Sequence, residues 1–295
     1  MKIGIIGGGS TGLLLSSYLC EHHNVTLYVR RQEQKEALNE YGLFLSNMET
    51  PFVIHTRLIE EIEEEDCFII CVKQHQIRDV LPHLHTINRQ VPFLFLQNGM
   101  GHLEKIEELN NDIYVGVIEH GALRESDFCV NHTGKGKIKI ATYRGHDEIL
   151  PILIEKLNQP NFPVVISIDW EKLLANKLMV NAVINPITTL FHVPNKEVLT
   201  NPYLHHLAEQ LCYEAATVLH LEYKTEFEKV KKIARQTGEN KSSMLTDIEN
   251  LRQTEIDSIS GYIIENSHSA VPYTSFVYNG IKAIEYKHRI GKAYD

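Results

Sequence analysis

The chain has 295 residues, more than one compact core usually needs, so two domains are expected. Its 43% hydrophobic and 23% charged content is that of a soluble globular protein, and a net charge of −9 with no long basic run argues against a nucleic-acid groove. Five scattered cysteines, odd in number and mostly inside apolar runs, speak against a disulfide frame or a zinc site and suit reduced thiols in a cytoplasmic protein.

The N-terminal "MKIGIIGGGSTGLLLSSYLC" places Lys2 before apolar residues, as an export signal would. A glycine cluster interrupts that run, however, and "LLLSSYLC" is too short to span a bilayer, so neither export nor membrane insertion is expected. Lys2–Ile6 instead reads as a strand and Thr11–Glu21 as a helix. Gly7, Gly8, Gly9 and Ser10 stand between them and Thr11 and Gly12 open the helix, with the spacing Gly7-x-Gly9-x-x-Gly12. A strand, a glycine turn and a helix in that order suit a dinucleotide: the turn brings backbone close to a pyrophosphate, and the amides at the helix N-terminus hold it.

Val25–Val29 is the second strand expected, and "TLYVRRQEQ" carries Arg30 and Arg31 at its end, with no acid before Glu33. An acid there bonds a ribose 2′-hydroxyl, whereas a guanidinium suits a 2′-phosphate. NADP(H) is therefore favoured over NAD(H), with two solvated loop arginines as the alternative. After the helix Gln32–Tyr41, further strands are expected at Cys67–Val72, Phe93–Leu96 and Ile113–Val117. Lys73 ends the first of these, where it would neutralise cofactor phosphate or simply snorkel into solvent. "FLQNGMG" places Asn98 at the next strand end, where an Asn-Gly turn is the plainer reading. In "EHGALRE" Ala122 is small enough to admit a cofactor ring. "GKGKIKIATY" and "PVVISID" look like further strands. This alternation implies a doubly wound, mostly parallel α/β sheet over residues 1–168. His75 and His120 invite a metal or base role, but no ligand spacing accompanies the 16 histidines, and no metal is expected.

From Trp170 the pattern turns helical, implying an all-helical domain over residues 169–295. "WEKLLANKLMVNAVIN", "YLHHLAEQLCYEAATVLH", "SMLTDIENLRQTEIDSISGYIIENSHS" and "YTSFVYNGIKAIEYKHRI" all fit helices. In the first, Lys177, Asn181 and Asn185 are four apart and share one helix face. An ammonium and two amides in an apolar helix need polar partners. They suit a proton donor and two hydrogen-bonding groups for a small polar substrate, or else helix-end polarity and interdomain hydrogen bonds. Ser242 and Ser243 precede the third helical pattern, and either can cap it. Glu255 and Asp257 follow Arg252 there, and an exposed ion pair accounts for them equally well.

Together, "GGGSTG", "QNGMG", "NKLMVNAVINPITTL" and "SSMLTDIENLRQTEIDSISG" followed by "VPYT" resemble the ketopantoate reductase (2-dehydropantoate 2-reductase) family along essentially the whole chain. The resemblance implies a Rossmann domain followed by a helical domain, with the active site in the cleft between them. It also implies NADPH-dependent reduction of 2-dehydropantoate to (R)-pantoate on the way to pantothenate and coenzyme A. By residue-level match it implies Lys177 as general acid, with Asn181, Asn185 and, less directly, Asn195 on the substrate side. Ser243 matches the serine on the substrate carboxylate. Glu255 matches the acid that meets both the substrate hydroxyl and the cofactor ribose. Asn98 matches a position near the nicotinamide that serves cofactor and substrate. Ala122 matches a cofactor contact, as do Arg30 and Lys73 at the 2′-phosphate. A different branched 2-oxo acid on the same scaffold is the near alternative, and a non-catalytic NADP-sensing protein the distant one. Monomer and homodimer are both compatible with the architecture.

Overall fold

The structure is a computed structural model that describes residues 1–290; the last five positions of the expected helical domain lie outside the described residues. Among the described residues eleven strands occur: β1 (Lys2–Ile6), β2 (Asn24–Val29), β3 (Phe44–Leu45), β4 (His55–Leu58), β5 (Cys67–Ile70), β6 (Phe93–Phe95), β7 (Ile113–Ile118), β8 (Gly121–Arg124), β9 (Cys129–Gly134), β10 (Ile138–Arg144) and β11 (Val164–Ile166). The helices are α1 (Ser10–Leu19), α2 (Gln32–Tyr41), α3 (Ile77–Leu84), α4 (Leu103–Ile106), α5 (Ile149–Leu157), α6 (Trp170–Phe191), α7 (Glu197–Thr200), α8 (Pro202–Val218), α9 (Tyr223–Gln236), α10 (Ser243–Glu249), α11 (Tyr262–Glu265) and α12 (Pro272–Lys287).

Two compact units divide the chain. One holds Met1–Gln97 and His102–Leu173; the other holds Asn98–Gly101 and everything from Leu174. The division falls inside α6, a few residues beyond the expected boundary at 168. The short Asn98–Gly101 segment belongs with the helical residues, although it follows β6.

The first unit is a Rossmann-type fold. Its eight-stranded sheet runs β11-β10-β7-β6-β5-β1-β2-β4. β1 pairs in parallel with β2 on one side and β5 on the other, in the register Ile3↔Val25 and Ile3↔Cys67. The chain order reverses at β1, so the loops after β1 and β5 flank a topological switch point, where ligands of such sheets bind. The central strands KIGII, CFII and FLF are almost wholly buried, as strands covered on both faces must be. Leu13, Leu14 and Leu19 of α1 and Leu153 and Leu157 of α5 pack into the same apolar cluster. β10 departs from the parallel rule and runs antiparallel to β7. A second sheet, β3-β9-β8, lies beside the first; β8 and β9 are not legible as apolar runs, because GALR and CVNHTG mix polar and small residues.

The second unit contains only helices among its described residues. Pro186 lies inside α6 and removes one helical hydrogen bond. The hydroxyls of Thr188 and Thr189 bond the carbonyls of Ile184 and Asn185 just beside it. The stretch 243–269, expected as one helical pattern, is broken. α10 stops at Glu249, Leu251 takes a positive φ of 52°, and the chain resumes in a π-helical turn at Asp257–Gly261 before α11. The break is held from outside the segment, since buried Glu285 of α12 accepts both the Thr254 N–H (2.8 Å) and its hydroxyl (2.7 Å). No helix among the described residues is long and apolar enough to cross a membrane.

Candidate active site

In the first unit the glycine turn has three distinct requirements. Gly7 sits at φ +114° and donates its N–H to the Tyr28 carbonyl (2.9 Å). A side chain there would also press on the Val72 backbone. Gly12 is packed so tightly that a Cβ would overlap the Gly7 carbonyl oxygen, so α1 can cross the turn only without one. Gly9 is the opposite case: a Cβ would meet nothing within 4 Å. It is the N-cap of α1, with extended backbone and no side-chain cap. The first N–H groups of α1 therefore have no side-chain acceptor and face open space beside a glycine, the arrangement a pyrophosphate needs. These residues fit a dinucleotide.

Three side chains fix this turn, and spacing did not single them out. Gln34 is buried on α2 and donates to the Gly8 carbonyl (2.8 Å) and the Asp127 carbonyl (3.0 Å). Arg124, at the end of β8, donates to the same Gly8 carbonyl (3.2 Å), while its backbone N–H reaches the Ser10 hydroxyl (3.1 Å). Asp127 pairs with both Arg124 and Arg31. The one trace of this in the sequence is Gln34 itself, a polar residue one turn before Leu38 on the inward face of α2. Of the two arginines after β2, Arg31 is thus tied to Asp127. Arg30 is exposed, and its guanidinium pairs with no acid among the described residues.

Lys73 is half-buried in the loop after β5, where its N–H is held by the Gln76 side chain (3.3 Å). Buried Gln97 braces that loop by donating to the carbonyls of Ile70 (2.8 Å) and Val72 (3.0 Å). Ala122 lies on β8 opposite His132. His120, just before β8, is a buried structural residue. Its ring stacks on Phe162 at 4.2 Å, and its Nδ1 accepts the Gly136 N–H (3.1 Å) and faces His132 Nε2 at 3.0 Å. Burial, with the neighbouring His132 second, pushes its pKa down to about 4. An imidazole held neutral with Nδ1 accepting carries its proton on Nε2.

In the second unit, Lys177, Asn181 and Asn185 form the expected stripe on α6. Both asparagines are buried, while Lys177 is half-buried. Asn98 joins them across a long sequence separation. Its Nδ2 donates to Glu255 Oε2 (2.9 Å), and its Oδ1 lies 3.5 Å from Asn181 Nδ2. Gly99, at φ +80°, packs so closely on the Ser258 carbonyl that a Cβ would overlap it, which seats the Asn98 loop on the π-helical turn. That turn grows from Glu255, whose carbonyl accepts the N–H groups of Ser258 and Ile259 (3.1 Å each). Asn185, one turn beyond Asn181 on the same face, is 7% exposed.

Ser242 and Ser243 separate cleanly. Ser242 caps α10, accepting the Leu245 N–H (3.2 Å), and its hydroxyl lies within hydrogen-bond distance of the Thr188 hydroxyl (2.8 Å). Ser243 is exposed, and capping does not use its hydroxyl. Asn195 is not brought into the Asn98–Asn181–Glu255 group: its Nδ2 donates to Thr237 Oγ1 (2.9 Å), tying the loop after α6 to the end of α9. Among the described residues no cluster of three or more His, Cys, Asp or Glu could hold a metal ion.

Comparison with known proteins gives a consistent picture. The family described as "Ketopantoate reductase PanE/ApbA" matches residues 3–145, and "Ketopantoate reductase PanE/ApbA C terminal" matches residues 169–285. The 2-dehydropantoate 2-reductase of Bacillus subtilis is 41% identical, over 97% of this chain and 98% of that protein. Its counterpart in Listeria innocua is 36% identical, over 97% of each. Among solved structures, the probable 2-dehydropantoate 2-reductase of Bacillus subtilis superposes with a TM-score of 0.87 at 40% identity, covering 97% of this chain and all of that one. A D-mandelate dehydrogenase solved with NADH and anilino(oxo)acetate superposes with a TM-score of 0.92 at 25% identity, covering 98% of this chain and 100% of that one.

Proposed function

The chain belongs to the ketopantoate reductase family of oxidoreductases, and we propose that it reduces 2-dehydropantoate to (R)-pantoate with NADPH, in the formation of pantothenate and coenzyme A. A nicotinamide cofactor follows from the family; NADPH in particular is supported by Arg30 at the end of β2, where a 2′-phosphate is read. Bound there, the reduced nicotinamide supplies two electrons as hydride to C2 of the substrate. Every other task falls to this chain.

Lys177 is the proton donor to the carbonyl oxygen as it becomes a hydroxyl. Asn181 and Asn185, one and two turns further along the same face, are the hydrogen-bonding groups for substrate oxygens. The observation that carries the reading is Asn98, distant in sequence, meeting both Glu255 and the Asn181 of the Lys177 face of α6. Glu255 accepts from Asn98 and serves the substrate hydroxyl and the cofactor ribose. Ser243 offers its uncommitted hydroxyl to the substrate carboxylate. Gly7 to Gly12 and Lys73 hold cofactor phosphates, and Ala122 leaves room for a ring. Asn195 is the least supported member of the substrate set, because its amide already bonds Thr237.

The test is NADPH oxidation with 2-dehydropantoate, run beside pyruvate-like and other branched 2-oxo acids and repeated with NADH. Fastest turnover with 2-dehydropantoate and NADPH is expected. Turnover with none of the acids would sink the enzymatic reading. A second reading, reduction of another 2-oxo acid, draws on the D-mandelate dehydrogenase that shares this fold; faster turnover with a different acid would replace the substrate named here.

A further inference from the structure

Two guanidiniums, Arg31 and Arg124, share one oxygen of Asp127, while Arg30, the residue before Arg31, has no acidic partner among the described residues. The hairpin between β8 and β9 puts Asp127 there: Glu125 and Ser126 donate their N–H groups to the Cys129 carbonyl (3.0 and 3.2 Å), and the Ser126 hydroxyl accepts the Phe128 N–H (3.2 Å). The position is reinforced from α2, where buried Gln34 donates to the Asp127 carbonyl. The carboxylate is therefore built in by four backbone or side-chain bonds around it, while the arginines come to it.

We infer that Asp127 is a specificity-determining residue for the cofactor: it holds Arg31 back from the adenosine end, so that Arg30 alone is offered to the 2′-phosphate. The inference rests on the NADPH reading above. A guanidinium tied to a carboxylate is held in place with part of its charge offset, here by one Asp127 oxygen shared with Arg124, so it gains less from a second anion than a free guanidinium does. An unpaired one gains the full charge-assisted bond. Asp127 thus sets how strongly a phosphorylated ribose is preferred to an unphosphorylated one, although it is itself an anion and would repel the phosphate if it were exposed to it. Its second link, through Arg124 to the Gly8 carbonyl, steadies the glycine turn for either cofactor.

The experiment is fluorescence titration of NADPH and of NADH onto the full chain and its variants. Arg30→Ala should weaken NADPH by about 10- to 100-fold and leave NADH nearly unchanged. Arg31→Ala should weaken NADPH by less than about threefold, because the pairing with Asp127 holds its side chain away from the phosphate. Asp127→Asn, nearly isosteric, should release Arg31 and tighten NADPH by about three- to tenfold without a matching change for NADH. The double variant Asp127→Asn with Arg31→Ala should return NADPH to within about threefold of wild type, since the released group is gone. Arg31→Ala weakening NADPH as much as Arg30→Ala does would overturn the inference, and needs only a surface variant to detect. Asp127→Asn weakening both cofactors equally would also overturn it, leaving Asp127 as a brace for the turn. A wild-type chain that binds NADH as tightly as NADPH removes the NADPH reading and the inference with it; a wild-type preference that no Asp127 or Arg31 variant alters removes the inference alone.

Discussion

At the glycine turn, three residues without side chains bring backbone amides to an open space; on α6, three residues with long polar side chains bring an ammonium and two amides to one face. The first arrangement works by what is missing. A methyl group at Gly12 has no room, and one at Gly9 would fill the space in front of the helix N-terminus. The second works by what is present, and deletion is what harms it. Charge on a dinucleotide phosphate is spread over oxygens that backbone N–H groups can reach, whereas a proton must come from one particular atom. Recognition can therefore be left to the main chain while chemistry cannot.

The sharpest way to break that comparison is Lys177→Ala. Turnover should fall by about two to four orders of magnitude, with NADPH affinity nearly intact by titration; wild-type turnover would remove Lys177 as the acid. Next come the two glycines. Gly12→Ala forces a Cβ into the Gly7 carbonyl and should cost about 1–3 kcal/mol of stability, by overpacking, together with NADPH binding. Gly9→Ala, at φ −83° with open space around it, should unfold at the wild-type temperature yet bind NADPH more weakly. Wild-type NADPH affinity in Gly9→Ala would show that the open space at Gly9 has no binding role.

Acid should separate the units. Burial pushes His102, stacked near Phe95, down to about 3, and His120 down to about 4, and both belong to the first unit. Their ordinary value is 6.5. Below that pH the unfolded chain takes up protons that the folded chain refuses. The stabilisation is complete above 6.5 and is lost as pH falls toward 4 and 3, at about 1.4 kcal/mol per pH unit for each group. Hydrogen exchange measured at pH 7 and pH 5 should show β1, β5 and β6 losing protection at the lower pH, and in His120→Phe that loss should shrink. The smallest effect expected is at the paired serines. Ser242→Ala removes the cap of α10 and the partner of Thr188, costing about 1 kcal/mol. Ser243→Ala should leave the melting temperature unchanged and raise KM for the 2-oxo acid.

Much of this was visible in residue order, and the exceptions share a cause. Lys2–Ile6 and Gln32–Tyr41 have the bounds their periodicity implies, because each is specified by its own apolar pattern. The stripe of Lys177, Asn181 and Asn185 needs only the helical repeat to be recognised. The stretch 243–269 misled because its spacing is helical throughout, while the break after Glu249 is imposed by Glu285, some thirty residues away. β8 and β9 were hidden because a sheet with mixed polar faces leaves no apolar alternation.

By itself the sequence determined the glycine turn, the buried strands that carry it, the helical second half and the polar face of α6, all of which follow from local periodicity and backbone sterics. Only the tertiary structure decided which asparagine joins that face, which serine caps and which is spared, and which of two adjacent arginines is paired. Asn98 meets Glu255, Thr188 meets Ser242 and Arg31 meets Asp127 across dozens of intervening residues. A side chain's hydrogen-bond partner depends on distance in space, which spacing along the chain encodes only within a single helix or strand.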